Sequence, residues 1–422
     1  MSDDAPVARP RASLAITGAA ELVTCAAAAV DLVGRVDGGV VAVADEQVIA
    51  AGTAGEVERA ADLSGAWILD AAGGVVAPGF VDCHTHVVFA GSRVEEYAAR
   101  VGGADTSELA LRGIVTGILA TVEMTRAASS DELVASAAER LAGMLRSGTT
   151  TAESKSGYGL TSEDEIRMLE VNQRLREMQP VDIVSTFLGA HEFPPERRRA
   201  AYIDEIVSEM IPRVAEEGLA EFCDVYCDDG YYSVEESRRI LEAGANAGLK
   251  PKIHTDAYSH IGGSGLAADF PAVSADHLNH TTEDEMEGLA AAGVIGVVMP
   301  GLDFAVAHTR PFDARAMLER GMTLALATDI CPGCWLESMQ FVIALACRLY
   351  GFTPAAALRA ATIGGAAALG QADKIGSLEP GKLADIAIFD VPRYEDLAYR
   401  LGRNAVRTVI KRGQVVVEAS RT

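Results

Sequence analysis

From about residue 79 onward the chain repeats one pattern. A short apolar run is followed by a stretch of helical length, and this happens eight times over roughly 300 residues, the number and span that a (β/α)8 barrel requires. The apolar runs are 75–87, 149–155, 181–189, 221–227, 250–256, 273–277, 294–299 and 323–329. Helix-like segments lie between them at 131–146, 162–178, 201–217, 233–247, 282–292 and 313–319. Ser130, Thr161, Ser233 and Thr282 stand where N-caps belong. A doubly wound sheet is the alternative, but its Gly-rich phosphate loop is missing. The expected architecture is therefore α/β, a (β/α)8 TIM barrel.

The ends of the chain read differently. Segments 13–24, 39–51 and 67–76 are Val/Ile/Leu runs punctuated by Gly and Asp-Gly, and β character returns at 375–390 and 406–418. The expectation is a small β-sandwich domain built from 1–78 plus 377–422, beside a barrel spanning 79–376. Residues 1–13, MSDDAPVARPRAS, have no apolar core of a secretory signal and read as a disordered lead-in.

With 36 Lys and Arg against 60 Asp and Glu, the net charge is −24. That field repels nucleic acid and anionic membranes, so neither is expected as a partner. An anionic substrate needs a local basic group to offset it. Seven cysteines in 422 residues form no disulfide framework and suit a reducing cytoplasm.

Histidines sit at the ends of the apolar runs. His84 and His86 lie near the end of the first, His191 just after the third, His254 near the end of the fifth and His277 at the end of the sixth, while Asp329 ends the eighth. In a strand, positions i and i+2 share a face, so His84 and His86 point the same way. Strand C-termini are where barrel active sites lie. Two His from one strand, a third from another and an Asp make a three-nitrogen, one-oxygen site for a borderline divalent ion, Zn or Fe. The fourth run ends in Val225-Tyr-Cys-Asp-Asp-Gly230 with no Lys or Glu at its tip, so one metal is expected rather than two. A separate Cys331-Pro-Gly-Cys334 could be a thiol site. A redox CxxC, however, normally opens a helix, and this one follows a barrel strand.

PGFVDCHTH, the His of runs five and six, LATD and the tail GSLEPGKLADI together resemble the amidohydrolase superfamily. More narrowly, HTHVVFAGSR, TTTAESKSGYGLTSEDEIRML, LGAHEFPPE, VSADHL and ESMQ are similar to the imidazolonepropionases, ring-opening hydrolases of histidine degradation. The resemblance implies that His84, His86, His254 and Asp329 bind the metal and that Asp329 is also the general base. It implies that Arg93 and Tyr158 hold the substrate carboxylate, that His191 meets the ring and its developing oxyanion, and that His277 acts as proton shuttle or carbonyl polariser.

Some positions depart from the family pattern. Ala257 stands where an acidic or amide residue usually contacts the ring. Cys331 replaces an Asn and Cys334 a hydroxyl residue, on either side of Pro332 and Gly333, and the segment after the first helix is altered. Ala257, Cys331, Gly333 and Cys334 are therefore expected near the ring. The activity expected is hydrolysis of 4-imidazolone-5-propanoate to N-formimino-L-glutamate by a cytoplasmic homodimer. The alternatives are a modified ring (thio-, methyl- or hydantoin-like) bearing a propionate, deamination of a ring, or a silent binding module.

Overall fold

The computed structural model describes residues 9–27, 29 and 31–418. At its centre, eight strands run in chain order: Phe80–Asp82, Thr149–Lys155, Asp182–Ala190, Phe222–Cys227, Lys250–Thr255, Ser274–His277, Ile295–Val298 and Leu324–Leu326. Each pairs in parallel with the next. Between the last and the first, a side chain holds the seam. Asp82 accepts from the Thr328 amide at 3.0 Å and from its hydroxyl at 2.6 Å. Just above, the Asp329 amide donates to His84 O at 3.1 Å and the His86 amide to Ile330 O at 2.9 Å. This is the expected (β/α)8 barrel.

Helices cross over between the strands, as parallel neighbours require. Ser129, Ser233 and Thr282 each form a capping box with the Glu three residues on, and Thr161 caps through the Asp164 amide. The first of these caps is Ser129, one residue before the Ser130 expected. The helix expected at 201–217 is interrupted. Arg199–Glu205 passes into a π turn, Ile206–Met210, before Ile211–Glu216. Pro212 lacks the N–H that a regular helix would use there.

The apolar run 75–87 is not one strand. Val75–Pro78 belongs to an outer sheet and Phe80–Asp82 to the barrel. Gly79 joins them, and a Cβ there would lie 2.3 Å from the Thr150 methyl, so only glycine fits. Segment 13–24 divides likewise into Leu14–Thr17 and Glu21–Val23, in different sheets. Segment 39–51 is a hairpin, Val40–Ala44 and Gln47–Gly52, turned by Asp45 and Glu46 with φ of 47° and 68°. Residues 1–8 of the expected lead-in lie outside the described residues. Order begins earlier than expected, because Arg11 bridges to Asp62 and Ala12 is buried.

The terminal strands form two sheets, of four and six strands. In the larger, Ile386–Phe389 pairs with Val75–Pro78, joining the two ends of the chain. Ile16, Val41, Val43, Ile386, Ile388 and Ile410 fill the space between the sheets, so the arrangement is the expected small sandwich. Lys411, between Asp182 at 2.8 Å and Asp385 at 2.6 Å, ties it to the barrel. Among the described residues, no helix is long and apolar enough to cross a membrane.

Candidate active site

The strand ends bring seven of the expected residues together. His84 and His254 have ring centres 4.5 Å apart, with His277 at 5.4 Å from the first and 5.2 Å from the second. His191 stacks on His86 at 5.0 Å, and Tyr158 is 5.5 Å from His86 and 5.3 Å from His191. Asp329 Oδ1 is 3.8 Å from the Nε2 atoms of both His84 and His86. All seven are buried. The backbone is bent to do this. Asp329 has φ of 49° and His277 of 83°, in the left-handed region that ordinary residues avoid.

The ring nitrogens divide into two sets. His84 Nδ1 is 2.6 Å from Asp276 Oδ2, and His254 Nδ1 is 3.1 Å from Asp224 Oδ1. Each carboxylate fixes its imidazole with the proton on Nδ1 and the lone pair on Nε2. Those two Nε2 atoms are buried and meet no hydrogen-bond partner. Buried polar atoms are rarely left so, because the loss of water is uncompensated. Among the sets of donor atoms close enough to share an ion, one joins His84 with His86 and Asp329, and another joins His84 with His254 and His277. His84 is common to both. Orphaned imidazole nitrogens beside a carboxylate fit a borderline divalent metal.

The electrostatics agree with that fit. Burial, aided by neighbouring charged groups, holds His84, His86 and His277 well below the ordinary imidazole value. Burial also lowers His254, although Asp224 opposes it. Imidazoles that are already neutral need lose no proton to become ligands. Burial raises Asp329 well above the usual carboxylate range, a cost that a cation alongside would relieve. His191 is pushed down to about 3 by burial and then by His254. Its Nδ1 is 3.1 Å from the carbonyl oxygen of Gly157, which cannot donate, so Nδ1 carries the proton and Nε2 is an acceptor. Gly157, with φ of 105°, permits the approach, since a Cβ there would lie 2.8 Å from that nitrogen.

The remaining expected contacts lie further out. A cavity of about 770 Å³ is lined by Arg93 and Gly333 together with Glu96, Tyr258, His308 and Pro332. Ala257, Cys331 and Cys334 do not line it. Ala257 is buried and its carbonyl accepts from His308 Nε2 at 2.9 Å. Cys331 and Cys334 exchange two backbone hydrogen bonds of 3.0 Å across the Pro332-Gly333 turn. The Cys334 thiol turns inward, 3.8 Å from the Thr328 carbonyl, among Met299, Leu302 and Ala327. Both cysteines are free thiols.

Three residues at the site escaped the sequence reading. Asp224 and Asp276 orient imidazoles, and the Tyr226 ring lies 5.5 Å from His254 and 6.0 Å from His191. A signal for the carboxylates was present. Asp224 interrupts an otherwise apolar strand, and Asp276 stands in a short barrel strand, where a barrel interior normally carries branched apolar side chains.

The chain is similar to known proteins over nearly its whole length. An amidohydrolase family model matches residues 102–417. The imidazolonepropionase of Symbiobacterium thermophilum is 45% identical over 420 residues, covering 96% of this chain and 97% of its own. That of Geobacillus kaustophilus is 46% identical over 389 residues, 91% of each chain. Among solved structures, a zinc-bound adenosine deaminase from Xanthomonas campestris superposes with a TM-score of 0.74 at 20% identity, covering 97% of this chain and 94% of that one. The guanine deaminase of E. coli gives 0.70 at 16% identity, covering 96% and 99%. At those identities the structural likeness shows the fold.

Proposed function

The chain belongs to the imidazolonepropionase family of amidohydrolases, and from that membership and the site's geometry we propose that it hydrolyses 4-imidazolone-5-propanoate to N-formimino-L-glutamate. The observation that carries the reading is the pair of buried, partnerless Nε2 atoms of His84 and His254, with His84 also in a donor set with His86 and Asp329. One Zn or Fe(II) ion, held by those four residues, would supply an acidified water and a polarised ring carbonyl.

The protein's own groups divide the remaining work. Asp329 accepts the proton of the attacking water and returns it to the leaving ring nitrogen, which opens the ring. His277 is neutral and its ring faces His84 and His254, so its N–H is the donor for the oxygen that gains negative charge. His191 takes a different part from the oxyanion contact expected. With its proton committed to Gly157, Nε2 accepts from a ring N–H of the substrate. Tyr158, its hydroxyl pKa raised by burial, stays a donor and with Arg93 addresses the propionate carboxylate.

The test is direct. The full chain, loaded with zinc or with iron(II) under reducing conditions, is given 4-imidazolone-5-propanoate, and the product is identified by mass. Formiminoglutamate is expected. No turnover with either metal, at verified occupancy, would overturn the reading, and ammonia release without ring opening would replace it with deamination.

A further inference from the structure

The interior of the barrel below the histidines is charged. Glu153 and Lys155 from the second strand, Asp224 from the fourth, Lys252 from the fifth and Asp276 from the sixth are all fully buried. Barrel interiors are ordinarily layers of branched apolar side chains. Burying ions costs more than burying hydrocarbon of the same volume unless every partner is in place. A charged layer here therefore calls for a reason other than stability.

Its wiring supplies one. Lys155 Nζ lies 2.6 Å from Asp224 Oδ2 and 3.6 Å from Asp276 Oδ2, with Glu153 Oε2 at 3.0 Å. Asp224 and Asp276 are the two carboxylates that end on imidazole Nδ1 atoms, those of His254 and His84. One ammonium group thus stands behind both. His84 comes from the first strand end and His254 from the fifth, and no backbone ladder joins those strands. Their common support is Lys155.

We propose that Lys155 is a positioning residue that couples the orientations of His84 and His254, so that their two Nε2 atoms present to one metal ion as a unit. Lys155 Nζ forms its ion pairs with the carboxylates of Glu153, Asp224 and Asp276. It fixes where Asp224 and Asp276 sit, and they fix the rings. The proposal rests on the reading of His84 and His254 as ligands.

The test measures zinc affinity by competition with a chromophoric chelator, on the full metal-free chain, without any assay of turnover. Lys155→Met is compared with Lys411→Met. Lys411 is likewise a buried lysine between two carboxylates, but Asp182 and Asp385 touch no imidazole. Loss of an outer-shell partner typically weakens metal binding by about 10–100-fold. That loss is expected for Lys155→Met, while Lys411→Met lowers thermal stability and keeps zinc affinity within about threefold. Equal zinc affinity in Lys155→Met and wild type, or equal losses in both variants, would overturn the proposal.

Because Lys155→Met leaves three buried carboxylates and can fail to fold, a second measurement uses Asp224→Asn, Asp276→Asn and the double variant. Coupling through Lys155 requires their effects on zinc affinity to be non-additive. Additive effects would refute it. A wild-type chain that binds no zinc would instead refute the ligand assignment on which the proposal rests.

Discussion

Glu96 holds Arg93 with both carboxylate oxygens, Nε to Oε2 at 2.7 Å and Nη2 to Oε1 at 2.9 Å. The Arg100 Nε adds 2.9 Å to Oε1, so Glu96 stands between two guanidinium groups. The pairing leaves Arg93 Nη1 as the group offered to the cavity. A Cβ on Gly333 would lie 3.4 Å from that nitrogen. One positive charge at the cavity is thereby fixed in one orientation within a protein of net charge −24.

Arg93→Ala is therefore expected to raise KM for a carboxylate-bearing substrate while leaving zinc content unchanged. A hydrogen bond to a charged group is worth roughly 1.5–3 kcal/mol, which is about 10–150-fold in KM. Gly333→Ala fills the space before Nη1 and is expected to raise KM by a smaller factor. Steady-state kinetics with metal analysis checks both. An unchanged KM in Arg93→Ala would place the carboxylate elsewhere.

Asp329→Asn removes the proposed base without disturbing the backbone. The φ of 49° lies in the left-handed region, where Asn is among the best-tolerated side chains. Loss of a positioned base typically costs 10²–10⁴-fold in rate. A fall in kcat of that order is expected at saturating metal, with the folded far-ultraviolet spectrum intact. Near-wild-type kcat would give the proton to another group.

Much of this was legible in the chain before its fold was known, and the limits have physical causes. Alternation of apolar runs with capped helices announced the barrel, because both periods are local. The histidines at strand ends were legible as positions for the same reason. Gly79 hid a change of sheet, because the residues on both sides stay apolar and nothing local marks which sheet each joins. Asp276 and Asp224 stayed silent for a different reason. His84 and Asp276 are 192 residues apart, and their hydrogen bond depends on inter-strand register and barrel closure, neither written in either segment. Cys334 misled, since its neighbours suggested a pocket lining and its thiol turns into the core.

Removing the metal tests the orphaned nitrogens. An ion that binds only the folded state stabilises it by about 2.7 kcal/mol at a hundredfold excess over Kd. Adding zinc to chelator-stripped protein is expected to raise the denaturant midpoint with little change in m, and to do so less in His84→Ala. Identical midpoints with and without zinc would leave the buried Nε2 atoms without their proposed partner.

Acid sensitivity of the metal-free chain tests the burial of His191. Its folded pKa of about 3 lies below the ordinary 6.5. Above pH 6.5 neither folded nor unfolded chain holds this proton, and the side chain contributes nothing to the pH dependence. Between 6.5 and 3 the unfolded chain takes the proton and the folded chain does not, so unfolding gains about 1.4 kcal/mol per pH unit as pH falls. The stability that a neutral His191 confers is thus present above 6.5 and is lost toward acid. His191→Gln lacks this group, while the other buried histidines and carboxylates titrate in both proteins. Urea unfolding at pH 7.5 and pH 5 is expected to show wild type losing about 1–2 kcal/mol more than His191→Gln over that interval. Parallel losses in the two proteins would mean that the folded chain accommodates the charge, and the neutral acceptor role given to His191 would fall with it.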